Sequence, residues 1–281
     1  MVPAIWTAII MDGPLGDVLR FLHSCGWECF ELATEHLEQI ADDPNTPARI
    51  DELKALMQEL SVSMPQAHAH LHADIAHPDE AHRNRDLRIL ERHLDCCAAL
   101  GVGRVVIHPG GQDLATQDDF DRALALNVEG FRELGDHAGE LGLRIGIENT
   151  LDSRDAHQVF GSIPEELLDL IARVNSPALG ITFDTSHANV SGLDLGAAIR
   201  RFGDLIWCTH ISDNDGSGDQ HRMPGCGTID WLSVMAALRG IRYEGILNLE
   251  IPGEEQPERE LLAMKLRYGL EVTRWLIAKA S

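Results

Sequence analysis

The chain has 281 residues, with 45 Asp and Glu against 23 Lys and Arg and a formal net charge of −22 at pH 7. This balance argues against nucleic acid as a partner, because proteins that bind it use Lys and Arg to displace phosphate counterions. No apolar run approaches the roughly 20 residues that a membrane span needs, and the first residues do not resemble a secretory signal. The six cysteines form no CxxC pair, which predicts buried, reduced thiols in a cytoplasmic protein.

Short apolar segments alternate with helix-like segments along the whole sequence. The apolar segments are rich in Val, Ile and Leu and mostly continuous, as expected of strands buried on both faces. In chain order, the predicted strands are Ala4–Ile10, Trp27–Leu32, Val62–Ala67, Arg104–His108, Arg144–Glu148, Leu179–Asp184, Leu205–His210 and Ile246–Glu250. Between them, Leu87, Leu90 and Leu94 exemplify the three- and four-residue steps of amphipathic helices. This alternation predicts a single (β/α)8 TIM barrel over residues 1–281.

An open, doubly wound sheet is the alternative architecture. Two features count against it. No glycine-rich fingerprint follows the first predicted strand, and many of the strands end in polar residues.

Polar residues stand where five of the apolar strands stop, in the segments VVIHPG, IGIENT, GITFDTSH, WCTHISDN and LNLEIP. The carboxyl ends of the strands of a parallel barrel meet on one face, where catalytic residues are usually found. Glu148, Asp184, His210 and Glu250 end strands five to eight. Carboxylate and imidazole ligands suit Zn²⁺, Mn²⁺ or Fe²⁺. The pattern therefore predicts a divalent metal held by these four side chains.

Further candidate ligands flank this set. His68 follows strand three and His108 ends strand four, so both are predicted to hold a second metal, with Glu148 shared between the sites. His187 comes three residues after Asp184. A metal ligand and a group that hydrogen-bonds the substrate are both open interpretations of His187.

The long irregular stretch Ser212–Gly227 follows strand seven and is rich in Gly and Asp. Loops of this length inside a compact domain are more often functional than idle. It contains Asp219 and His221 in the sequence DQH, and Arg222 comes next. The spacing Asp-x-His is compatible with two ligands of one metal. An Arg side chain is suited to binding a phosphate or a sugar hydroxyl. The sequence leaves open whether this loop is fixed or forms a lid.

The motifs HPGG, IENT, FDTSHAN, HISDNDGSGDQHRMPGCGTIDW and NLEIP, taken in order, resemble the xylose-isomerase-like TIM barrels. This superfamily includes sugar isomerases and epimerases and also endonuclease IV, and the resemblance spans nearly the whole chain. By resemblance to the epimerases, Glu148, Asp184, His210 and Glu250 would hold one metal, with Glu148 and Glu250 also serving as acid and base. In the nuclease, nine ligands hold three zinc ions. Their counterparts here are His68, His108, Glu148, Asp184, His187, His210, Asp219, His221 and Glu250.

This chain departs from both groups. Where ketose epimerases carry an Arg ahead of a Pro-Gly turn, His221 stands here, which favours the nuclease. Leu71 stands where the nuclease inserts a Tyr into bent DNA, and ENTLDSR replaces its ENTAGQG. The net charge of −22 also differs from the basic loops of the nuclease. These last three departures favour the epimerases.

The leading functional hypothesis is a metal-dependent sugar or sugar phosphate isomerase or epimerase with one to three Zn²⁺ or Mn²⁺ per chain. Glu148 and Glu250 would exchange a proton with the substrate through a cis-enediolate, while His187 and Arg222 position hydroxyl or phosphate oxygens. The second hypothesis is an endonuclease IV-like zinc phosphodiesterase acting on apurinic DNA or another phosphodiester. The third is a non-catalytic carbohydrate- or metal-binding barrel. The resemblance also implies a homo-oligomer, although no segment specifies its interface.

Overall fold

The protein forms a closed barrel of parallel strands in a computed structural model that describes residues 1–11, 13–152, 157–253 and 258–279. Each strand pairs with its neighbours in chain order, and the last strand pairs with the first. The strands are β1 (Val2–Trp6), β2 (Cys29–Leu32), β3 (Ser63–His68), β4 (Arg104–Ile107), β5 (Arg144–Glu148), β6 (Leu179–Asp184), β7 (Ile206–Ile211) and β8 (Ile246–Leu249). Helices lie between successive strands. The predicted single (β/α)8 TIM barrel is confirmed.

The helices carry the apolar stripes expected from the sequence. In the described part of the chain they are α1 (Leu15–Ser24), α2 (Thr34–Ala41), α3 (Thr46–Leu60), α4 (Glu80–Leu100), α5 (Gln117–Glu140), α6 (Pro164–Val174), α7 (Thr185–Val190), α8 (Leu195–Phe202), α9 (Trp231–Gly240) and α10 (Arg259–Lys279). Leu87, Leu90 and Leu94 of α4 are buried in the core. None of the described helices combines the length and the apolar character that crossing a membrane requires.

The first strand is shifted from its predicted position at Ala4–Ile10. It begins at Val2, whose N–H donates to Gly245 O at 3.1 Å, and it ends at Trp6. Residues Thr7–Ile10 form a 3₁₀ helix instead. The Thr7 hydroxyl accepts a hydrogen bond from Ala33 N at 3.0 Å and so ties the turn to the chain after β2. A short apolar run does not by itself distinguish a buried strand from a buried helical turn, which explains the error.

Strand register brings the polar strand ends together. β6 is buried over its whole length, as a strand covered on both faces should be. Asp184, its last residue, lies directly across from His210 of β7, and His210 lies across from Asn248 of β8. The hydrogen bonds of the barrel therefore fix these side chains at one level of its carboxyl end.

All six cysteines are free thiols. Five of them are buried, as predicted. Cys226 is exposed, because it lies in the long loop after β7 rather than in an element that packs on the core.

Candidate active site at the carboxyl end of the barrel

His210 lies at the centre of a group of acidic side chains. Its Nδ1 is 2.8 Å from Glu148 Oε1, 3.2 Å from Glu250 Oε2 and 3.9 Å from Asp184 Oδ2. Potential ligand atoms of these four residues all lie within 4.8 Å of one another. The four residues, here called the strand cluster, are the set predicted from the ends of strands five to eight.

The strand cluster is electrostatically unbalanced without a cation. Asp184 Oδ2 and Glu250 Oε2 are buried and have no hydrogen-bond partner among the described residues. Burial, with the neighbouring Glu250 and Glu148 carboxylates adding to it, raises the pKa of Asp184 to about 7. Buried carboxylates are costly unless they are paired or coordinate a metal. Three carboxylates and one imidazole are a donor set that Zn²⁺ or Mn²⁺ accepts, so these residues fit a divalent metal.

Glu31 is a buried partner of His210 that the sequence prediction missed. His210 Nε2 lies 2.9 Å from Glu31 Oε2, and Gln66 Nε2 donates to the same oxygen. His210 therefore turns Nε2 towards Glu31 and Nδ1 towards the strand cluster, where Nδ1 contacts Glu148 Oε1. Carboxylates commonly fix metal-binding histidines in this way. Glu31 lies near the end of β2, so applying the strand-end rule to that strand would have found it.

His68 and His108 approach the strand cluster from its other side. Their Nε2 atoms lie 3.2 and 3.0 Å from Glu148 Oε2. Burial acts to raise the pKa of Glu148, but His210 and His108 hold it well below its ordinary value. Glu148 therefore lies as a carboxylate between two sets of imidazoles, with Oε1 towards His210 and Oε2 towards His68 and His108.

His187, Asp219 and His221 form a second assembly beside the strand cluster, here called the loop group. Asp219 Oδ2 is 3.4 Å from His187 Nε2 and 2.8 Å from His221 Nε2. Burial acts to lower the pKa of His221, but the hydrogen bond to Asp219 raises it to about 9. Among the described residues, the sets with ligand atoms all within 4.8 Å are the strand cluster and His68–Glu148–His210. The loop group is therefore the more open arrangement.

Three histidines share one orientation. The Nδ1 atoms of His68, His187 and His221 lie 2.9, 2.8 and 3.1 Å from the backbone carbonyl oxygens of Ala69, Asn149 and Glu250. A carbonyl oxygen only accepts, so each Nδ1 carries a hydrogen, and each Nε2 is turned towards a carboxylate oxygen. This orientation is typical of histidines whose free nitrogen binds a metal.

The long loop that carries Asp219 and His221 is organised around Asp213. The buried Asp213 carboxylate accepts hydrogen bonds from Gly225 N at 2.9 Å, Ile229 N at 3.2 Å and Trp231 Nε1 at 2.9 Å. Its backbone also pairs with Arg222 in an antiparallel bridge. These contacts hold His221 at φ 44°, a left-handed conformation that is uncommon outside glycine. Such strain persists only where the surrounding structure enforces it.

A cavity of about 330 Å³ lies above the strand cluster. Its lining residues are Trp6, Ala33, Thr34, Glu35, His68, Leu71, His108, Gln112, Glu148, His187, Asp219, His221 and Glu250. The Trp6 ring is parallel to that of His221, with centroids 6.0 Å apart, and it gives the cavity a flat apolar wall. No sequence signal distinguished Trp6. It lines the cavity because β1 ends there.

Arg222 is not brought to this cavity. Its guanidinium nitrogen lies 2.8 Å from Asp215 Oδ2, and Arg222 is not among the residues that line the space. His187, the other predicted substrate-binding residue, does line it. The substrate-binding roles of both residues stay predictions.

Comparison with known proteins places this chain in a family. The chain is 33% identical over 148 residues to an uncharacterized protein of Methanocaldococcus jannaschii, covering 52% of this chain and 50% of the relative. It is 29% identical over 165 residues to a D-psicose 3-epimerase of Enterocloster bolteae, covering 58% and 50%. These matches span about half the length of each relative. A probable endonuclease 4 of Geobacter sp. (strain M21) is 23% identical over 264 residues, covering 88% and 91%.

Among solved structures, a D-tagatose 3-epimerase-like protein superposes with a TM-score of 0.82 over 99% of both chains at 22% identity. This likeness shows a shared fold. The family model described as xylose isomerase-like TIM barrel matches residues 19–268. The chain therefore belongs to the xylose isomerase-like TIM barrel family.

Proposed function

We propose that this protein is a metal-dependent sugar isomerase or epimerase. The arrangement of Glu148 and Glu250 carries the proposal. Both line the cavity, and an oxygen of each lies close to His210 Nδ1, at 2.8 Å for Glu148 and 3.2 Å for Glu250. They reach this point from β5 and from the residue after β8. Two carboxylates from separate strands offer a bound sugar a base and an acid at one reaction centre.

The strand cluster would hold the metal. A divalent ion bound by Glu148, Asp184, His210 and Glu250 would polarise a keto or hydroxyl oxygen of the sugar and acidify the neighbouring C–H bond. The orphaned buried oxygens of Asp184 and Glu250 support this assignment. The donor set is compatible with Zn²⁺ or Mn²⁺.

Glu148 and Glu250 would carry out the proton transfer. One glutamate removes the proton from carbon as the C–H bond breaks, and the other, in its acid form, donates a proton to the opposite face. The new C–H bond gives the epimer without any net oxidation. His187 would hold a hydroxyl, and the Trp6 ring would cover the apolar face of the sugar. The similarity to D-psicose 3-epimerase supports a small sugar as substrate.

Incubation with ketoses in D2O tests the proposal directly. The purified protein, loaded with Mn²⁺ or Zn²⁺, is mixed with D-fructose, D-psicose or D-tagatose, and NMR and mass spectrometry follow the products. We expect one deuterium on the epimerised carbon. A metal-loaded, folded protein that leaves every C–H of the panel unexchanged would contradict a ketose epimerase.

A zinc phosphodiesterase of the endonuclease IV kind is the second candidate. The shared orientation of His68, His187 and His221 favours it, because their Nε2 atoms offer ligands beyond those of the strand cluster. Leu71, which is 40% exposed, and the net charge of −22 count against a DNA substrate. Nicking of an abasic duplex, together with close to three zinc ions per chain, would favour this candidate over the epimerase.

A further inference from the structure

A second polar space adjoins the active-site cavity. This side cleft has a volume of about 520 Å³ and lies between the β3–α4 and β4–α5 loops. It shares Leu71, His108 and Gln112 with the cavity above the strand cluster. Leu71 is 40% exposed, so this boundary is open to solvent. A ligand that reaches the strand cluster therefore has room to extend beyond it in one direction.

The walls of the side cleft are fixed against each other. A Cβ atom at Gly110, on the β4–α5 loop, would overlap Asp74 and Ala76 of the β3–α4 loop, so only glycine permits this approach. The Asn127 side chain accepts from Gly110 N at 2.9 Å and donates to Gly110 O at 2.8 Å. A space built from such contacts exists before a ligand binds, as most small-molecule sites do.

The side cleft presents both hydrogen-bond donors and acceptors. The side chains of His72, Gln112 and Asp113 make no hydrogen bond to another residue in the described part of the chain, so their polar atoms are available. His77 Nδ1 accepts from Asp79 N at 3.1 Å, which leaves its Nε2–H as a donor. Each sugar hydroxyl can both donate and accept a hydrogen bond, which matches this mixture.

The charge of the side cleft is unsuited to phosphate. Among the described residues, its lining includes the carboxylates Asp74 and Asp113 and four histidines but no Lys or Arg. Phosphate sites in proteins usually supply Arg or Lys, and a net charge of −22 opposes a dianion further. The polar groups therefore favour a neutral polyhydroxyl ligand over a phosphorylated one.

We propose that the side cleft is a second carbohydrate subsite, and that the substrate is a neutral glycoside whose second sugar ring occupies it. This inference rests on the proposed function and specifies its substrate class as uncharged, disaccharide-sized sugars. It assigns a binding role to residues at a distance from the proton-transferring glutamates.

Two probe sugars test this proposal. They contain the same ketose and differ only in whether a second sugar ring is attached. D-Fructose lacks it, and isomaltulose is D-fructose carrying a glucosyl group on O6. Deuterium incorporation from D2O gives kcat and KM for each sugar. Saturation-transfer NMR reports contact with the glucosyl protons independently of turnover.

The double variant His72→Ala/Asp113→Gly removes two free polar groups, and the glycine suits the φ of 56° at position 113. Asp204→Ala, an exposed carboxylate before β7 at the other end of the barrel, is the matched control.

We expect wild type to favour isomaltulose by about tenfold or more in kcat/KM. The double variant should lose this preference through KM while its rate on fructose stays unchanged. Equal kcat/KM for the two sugars, with no transfer to the glucosyl protons, would overturn the subsite and leave the proposed function intact. If neither sugar exchanges deuterium, the proposed function is overturned. Saturation transfer to the glucosyl protons then tests binding in the side cleft independently. Displacement of isomaltulose by inorganic phosphate would overturn the neutral-ligand assignment.

Discussion

The strand cluster and the loop group use the same kinds of side chain but differ in how they are held. The side chains of Asp184 and His210 in the strand cluster are 0% exposed, whereas those of Asp219 and His221 in the loop group are each 23% exposed. Barrel register fixes the strand cluster. The loop group depends on a long connection gathered around Asp213. Both candidate functions would use a metal at the strand cluster, whereas only the phosphodiesterase would use the loop group as metal ligands.

The largest effect should come from a proton-transferring residue of the strand cluster. Glu250→Gln keeps the size of the side chain but removes the base, and general acid–base catalysis contributes roughly 10²- to 10⁴-fold. We expect deuterium exchange from D2O into the ketose to fall by about that factor. Glu244→Gln, at an exposed position on the approach to β8, is the control and should leave exchange unchanged. Full exchange by Glu250→Gln would remove this residue from the mechanism.

Asp184→Asn should change stability in opposite directions with and without metal. Without metal, the substitution removes one of the crowded carboxylates, and an Asn oxygen can still accept the 2.6 Å hydrogen bond from His187 N. We therefore expect Tm of the metal-free protein to rise. The gain in Tm on adding Mn²⁺ or Zn²⁺ should disappear, because a ligand that binds only the folded state stabilises it by mass action. Thermal unfolding with and without EDTA measures both quantities. An undiminished metal-induced gain would show that Asp184 is not a ligand.

Glu31→Gln should weaken metal binding without unfolding the barrel. The variant keeps a side chain beside His210 but replaces the acceptor charge that orients its ring. Loss of such a partner typically lowers metal affinity by about 10- to 100-fold. Isothermal titration with Mn²⁺ provides a readout separate from turnover. Glu28→Gln, exposed just before β2, should bind as wild type does. Equal affinities for both variants would limit Glu31 to a packing role.

The smallest effect on sugar turnover is expected from the loop group. Asp219→Asn weakens the contacts to His187 and His221 but leaves the strand cluster unchanged. We expect kcat to stay within about tenfold of wild type, with the change mainly in KM, and the metal content per chain to be unaltered. Elemental analysis of wild type and variant measures this content. A loss of one metal per chain would show that the loop group holds an ion, and it would favour the phosphodiesterase.

The sequence was most informative where a side chain is fixed by a strand. Glu148, Asp184, His210 and Glu250 were predicted together because parallel strands of a barrel end on one face, and the observed register places them together. The same rule, applied to β2, also leads to Glu31. Prediction failed at β1, where the run Thr7–Ile10 is apolar but leaves the sheet as a 3₁₀ helix.

The sequence by itself determined the barrel and the level at which its polar strand ends meet, because strand alternation and apolar continuity are local properties. The tertiary structure decided which nitrogen of each histidine faces the site, since the carbonyls of Ala69, Asn149 and Glu250 and the carboxylate of Glu31 orient the rings. It also decided that Trp6 joins the cavity while the Arg222 side chain turns to Asp215. Those outcomes depend on contacts between distant segments, and the spacing of residues along the chain does not encode them.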